Sequence, residues 1–91
     1  MTIAVQPDQP FPLGLAARGY AGSIHRIEVS EGHPGLPAIE IERRLIELGF
    51  VEGATVSVLH EGLFGRDPIA IRVNGATVAL RRREAMAILT R

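Results

Sequence analysis

The stretch Arg43–Leu59, RRLIELGFVEGATVSVL, passes from a helical repeat into a strand-like alternation within a few residues. Ile41, Leu45 and Leu48 lie at i, i+4 and i+7, which places them on one face of a helix. Pro37 suits a position at or just before the start of that helix. Glu40 and Glu42 fall near the positive end of its dipole. Glu40 and Arg44 are spaced for an ion pair on the solvent side. Gly49 stands where a left-handed residue closes off the last carbonyls, and Phe50 is placed to fold back on the final turn. Gly53 then supplies a turn into ATVSVLH (54–60), where Val56 and Val58 share a face. The segment therefore reads as a short capped helix feeding directly into a sheet.

Further strands follow on the C-terminal side. In IAIRV (69–73), Ile69, Ile71 and Val73 alternate with Ala70 and Arg72. Asn74-Gly75 separates it from ATVALR (76–81), and two residues able to take positive φ between alternating runs predict a tight hairpin. RREAMAI holds a single helical turn and ILT a last short strand. On the N-terminal side GSIHRIEV (22–29) is a first strand, in which Ile24, Ile27 and Val29 do not alternate strictly. Either a bulge shifts the phase or both faces are partly covered. LGLAARGYAG has room for a turn of helix before Gly19, and SEGHPGLP is loop. Residues 1–12, with three prolines, read as a flexible lead-in to a domain spanning 13–91. About five short strands, one helix and no βαβ rhythm predict a mainly β chain. Exposed edges favour a small, partly open barrel with the helix as plug or lid.

Composition limits the functions available. Ninety-one residues support one core, here built from aliphatic side chains because only 4% of residues are aromatic. No apolar run approaches the roughly 20 residues of a membrane-spanning helix, so no direct membrane insertion is expected. The opening MTIAVQPDQPFPLG has neither a basic leader nor an apolar stretch of signal-peptide length, so no export signal is expected. The absence of cysteine excludes disulfides, thiolate metal sites and cysteine nucleophiles, and fits a cytoplasmic location. Formal net charge is zero, which argues against nucleic acid as a partner. All ten basic residues are arginine.

Catalytic patterns are not found. Ser23, Ser30 and Ser57 lie in no nucleophile elbow, and EGLFGRDP (61–68) lacks the ending of a phosphate-binding loop. The chain reads as a non-enzyme with no required cofactor. His25, His33 and His60 form no helical metal pair; His60, Glu61 and His33 are nonetheless the candidate ligands for weak Fe(II) or Zn(II) binding. Arg81-Arg82-Arg83 is the one charge run, suited to a solvated strand end beside Glu84 or to an acidic partner. Leu63 and Phe64, in a turn-rich connection bounded by Gly62, Gly65 and Pro68, either tuck over the barrel end or remain exposed as a contact. The flanking glycines give this segment freedom to move.

Over these same residues the chain resembles the FeoA family, small accessory proteins of bacterial ferrous-iron uptake. The resemblance rests on Leu45, Leu48-Gly49, Gly53, Gly65, Asp67-Pro68-Ile69, Gly75, Ala79-Leu80-Arg81, Glu84-Ala85 and Ile88, in order, and covers roughly Gly14 to the C-terminus. Arg66 between Gly65 and Asp67, Leu63 in place of a common proline, and a longer EGHPGLPAIEIE segment depart from the pattern. The resemblance implies an SH3-like barrel and a cytoplasmic regulatory role beside FeoB, the membrane transporter with a cytosolic G-protein domain. Activating nucleotide hydrolysis, gating the pore and assembling the complex are all consistent with it. On this reading Leu63, Phe64 and Arg66, aided by Arg81 and Arg82, form the docking surface. A homo-oligomer joined by strand edges is a further expectation. The alternatives are a transition-metal-responsive module and a detached regulatory barrel of an iron-dependent transcription system, although no recognition helix is present.

Overall fold

A computed structural model describes residues 10–30 and 36–91. His33 lies outside the described residues. Six antiparallel strands form one open sheet in the order β1-β6-β2-β3-β4-β5. They are β1 (Phe11–Pro12), β2 (Ala21–Ile27), β3 (Thr55–Phe64), β4 (Asp67–Val73), β5 (Ala76–Leu80) and β6 (Ile88–Thr90). Helix α1 spans Ala38–Glu47, α2 is a single turn at Arg82–Ala85, and a 3-10 turn occupies Leu13–Leu15.

The middle strand of this order makes the sheet bend. Ala21–Ser23 pair with β3, whereas Ile24–Ile27 pair with β6, and the register shifts between Ile24 and Arg26. The broken alternation in β2 is thus a bulge, which adds local twist and lets one strand serve both halves. Side chains from both halves meet in one core: Ile24, Val58, Ile71, Leu80 and Ile88 are buried together with Phe50 and Leu13. The sheet curls around this core without closing, which is the partly open SH3-like barrel expected. Among the described residues it has six strands, against the about five expected. The addition is β1, where Phe11 faces Thr90 and Pro12 faces Leu89. An edge strand tolerates proline because its outward N–H is not needed. The folded part therefore includes two residues that the sequence reading had given to the lead-in.

Local chemistry explains the helix and the strand that follows it. Pro37 is the N-cap of α1, which buries Ile41 and Leu45. Each such side chain contributes roughly 1.5–3 kcal/mol when fully removed from water. Leu48 sits at the helix end with Gly49 beyond it at φ +107°. The Phe50 N–H donates to the Leu45 carbonyl at 3.0 Å and the Gly49 N–H to the Ile46 carbonyl at 3.0 Å. This pair of bonds is a Schellman closure, and Phe50, fully buried, supplies the apolar contact that accompanies it. The ion pair on α1 is Arg43–Glu40 at 3.2 Å, one residue short of the Glu40–Arg44 spacing expected, since i,i+3 neighbours also meet on a helix. Asn74 and Gly75 have φ of +48° and +80°, as a two-residue hairpin of the I′ type requires.

Candidate functional site

The hairpin of β3 and β4 is longer than the sequence pattern implies. Leu63 and Phe64 are not in a connection; they are the last two residues of β3, and Phe64 pairs with Asp67. The turn consists of Gly65 and Arg66 alone, with φ of +69° and +59°. Register shifts after Val58 and between Glu61 and Phe64 break the alternation that would have marked this part as strand. The glycines do not loosen it. A Cβ on Gly62 would overlap the Asp67 carbonyl, so that position is glycine because two backbones touch there.

Consecutive strand residues normally point to opposite faces, one of them covered. At this tip both are in solvent: Leu63 is 95% exposed and Phe64 90%. The projecting hairpin leaves neither face a core to pack on. Of the two outcomes open for the apolar pair, the exposed one is found. Arg66 is exposed beside them.

The base of the hairpin is fixed by Arg82. Its Nε donates to the Arg66 carbonyl at 2.9 Å, one terminal nitrogen to the carbonyls of Gly14 (3.1 Å) and Ala16 (2.7 Å), and the other to Glu61 Oε1 at 2.7 Å. The Arg82 main-chain N–H donates to Asp67 Oδ1 at 2.8 Å, so Asp67 caps α2 from the neighbouring strand. Arg82 is consequently committed to the interior framework and leaves the expected docking set. Arg81 remains exposed, and it precedes in the chain the Arg82 N–H that Asp67 holds.

Of the candidate metal ligands, His33 lies outside the described residues. His60 and Glu61 are adjacent on β3, opposite Ala70 and Ile69. Glu61 Oε1 already accepts from Arg82 and from the Arg18 N–H at 3.2 Å. Among the described residues no three metal-ligating side chains come together. One participant was missed in the sequence: Leu15, 68% exposed, sits between the two residues whose carbonyls bind Arg82. It therefore belongs to the same end of the molecule as the hairpin turn. A 3-10 turn offers no long periodicity from which its outward direction could be read.

The sequence model of the FeoA domain matches residues 11–91. No protein of curated function matches the chain in sequence. Among solved structures, Stenotrophomonas maltophilia FeoA complexed with zinc, described as an SH3 domain protein, is 27% identical, with a TM-score of 0.71 over 89% of each chain. The FeoA-like protein from Clostridium acetobutylicum is 26% identical, with a TM-score of 0.73 over 90% of this chain and 85% of that one. A manganese-dependent transcriptional repressor shares the fold at 22% identity and a TM-score of 0.73, this chain spanning 38% of its length. The matched span, the bent open sheet and the order of the glycine and Asp-Pro-Ile positions agree: this chain belongs to the FeoA family.

Proposed function

We propose that this chain is a cytoplasmic, non-catalytic adaptor that docks on the cytosolic region of a FeoB-type membrane GTPase and regulates ferrous-iron entry. Membership of the FeoA family gives the role in ferrous iron transport. The observation that carries the docking reading is the hairpin tip, where an adjacent leucine and phenylalanine stand almost fully in water on a base anchored by Arg82. Burying these two side chains against a partner is worth roughly 3–6 kcal/mol in apolar area alone. Anchoring the turn beforehand reduces the ordering entropy lost on contact. Arg66 and Arg81 add planar guanidinium groups, which are frequent at the centres and rims of such contacts. Among the described residues no helix is long and apolar enough to cross a membrane, so the chain would meet the transporter through its soluble part. The reading requires no resident metal.

The test is a pull-down with the cytosolic portion of the FeoB-type transporter from the same genome. The Phe64→Ala, Arg66→Ala double variant should lose about tenfold or more in affinity while keeping a native circular dichroism spectrum. Equal recovery of variant and wild type removes this surface from the interface.

A further inference from the structure

We infer that the outer face of the sheet carries a second binding site, a cationic trough for an acidic polypeptide segment. Ala21 lies opposite Ser57, which lies opposite Arg72, and Ser23 lies opposite Thr55. Arg91 exchanges main-chain hydrogen bonds with Ser23 on the other side. Val56 and Val73 point into the core, so their alternating neighbours Thr55, Ser57 and Arg72 point outward. The result is an open trough of about 560 Å³ with small and hydroxyl-bearing side chains on its floor and Arg72 and Arg91 on its sides.

Charge decides what fits. Among the described residues no acidic side chain lines the trough. The salt bridges among the described residues involve Arg26, Arg43 and Arg82, which leaves Arg72 and Arg91 without a carboxylate partner there. Among the described residues the hydrogen-bonding partner of the Arg91 side chain is the His25 ring, with a terminal nitrogen 3.3 Å from Nε2. The charged side chains that line the trough are therefore both positive. Arginine pairs with carboxylate through two parallel N–H bonds, and the hydroxyls beside it can donate as well. Three strand spacings separate the backbone of Arg91 from that of β4, about 14 Å. Two carboxylates four residues apart on an extended segment are separated by about 13 Å, so one segment can meet both arginines while its backbone crosses the hydroxyl-lined floor, a length that one small anion does not fill. The occupant is therefore a polypeptide with spaced acidic residues. Ser57 and Phe64 are separated by about 20 Å along β3, so this site stands apart from the hairpin tip and does not rest on the docking proposed for it.

The experiment is an amide chemical-shift titration of the full chain with the peptide Gly-Glu-Gly-Ser-Gly-Glu-Gly. Saturable shifts at Ser23, Thr55, Ser57 and Arg72 are expected, weakening as salt is added. Arg72→Glu with Arg91→Glu should cut affinity about tenfold or more; both side chains lie on the surface, and an unchanged spectrum elsewhere shows that the fold is kept. The Phe64→Ala, Arg66→Ala variant should bind the peptide as the wild type does. Inorganic phosphate producing the same shifts at equal affinity would make this a small-anion site and overturn the assignment. So would a glutamine version of the peptide binding equally well, shifts confined to Arg81–Arg83, or none at millimolar peptide.

Discussion

The guanidinium of Arg82 serves four oxygens drawn from three segments: the 3-10 turn region, the end of β3 and the hairpin turn. Removing it leaves three carbonyls and the Glu61 carboxylate short of a donor, in a place where the Arg82 and Glu61 side chains are each only 21% exposed. Arg82→Met should therefore destabilise the fold by about 2 kcal/mol or more, and Arg82→Lys should recover only part, because an ammonium lacks the planar fork. Chemical denaturation reads this directly; a methionine variant as stable as the wild type would remove the anchoring role. Arg66 makes the opposite case. It holds φ at +59°, which is costly for a residue with a Cβ, while its contact to Arg82 is made by its main-chain carbonyl. Arg66→Gly should keep that hydrogen bond, relieve the strain and stabilise by about 1 kcal/mol. A lower denaturation midpoint in this variant would show that the side chain has a stabilising contact of its own. The sequence displays three consecutive arginines and one in a turn as equal charges; only tertiary contacts separate the anchor, Arg82, from the exposed Arg66 and Arg81.

At the scale of elements, local rules were enough wherever a structure is closed by its own neighbours. The end of α1 is such a case, since Gly49, Phe50 and the carbonyls they satisfy lie within six residues. Gly49→Ala should cost about 1–2 kcal/mol from backbone conformation alone, because a Cβ there meets nothing closer than 3.5 Å. Thermal unfolding measures it, and a loss far above this range would point to a packing defect instead. The β4–β5 hairpin was legible for the same reason, through Asn74-Gly75. The β3–β4 hairpin was not. Its turn places a non-glycine residue second, and two register shifts erase the period-two pattern over Val58–Phe64. The apolar pair was thus visible as apolar, but its place at a projecting strand end was not. Its pairing with β4 and the anchor on α2 bring together residues up to 68 positions apart.

For the whole molecule, the least legible feature is how the sheet begins, and it carries a test of its own. β1 is two residues long and gives no periodicity, yet it covers the outer edge of β6. The Phe11 ring packs edge-on against Tyr20 with centroids 4.9 Å apart. The Tyr20 hydroxyl donates to Thr90 Oγ1 at 3.0 Å, and the Thr90 hydroxyl donates to the Phe11 carbonyl at 3.1 Å. Thr90 is fully buried, so its hydroxyl depends on these partners. A chain starting at Leu13 loses the aromatic contact, the partly buried Phe11 and the acceptor for Thr90 together. The sum is about 2–3 kcal/mol, or a Tm lower by roughly 10–15 °C in a domain of this size, relative to a chain starting at Phe11. Replacing Thr90 by valine in the shorter chain should not recover the loss, because the Tyr20 hydroxyl then loses the acceptor it has in Thr90 Oγ1. Identical melting of the two truncations would mean that β1 adds nothing to the barrel's stability and that the fold is complete from Leu13 onward.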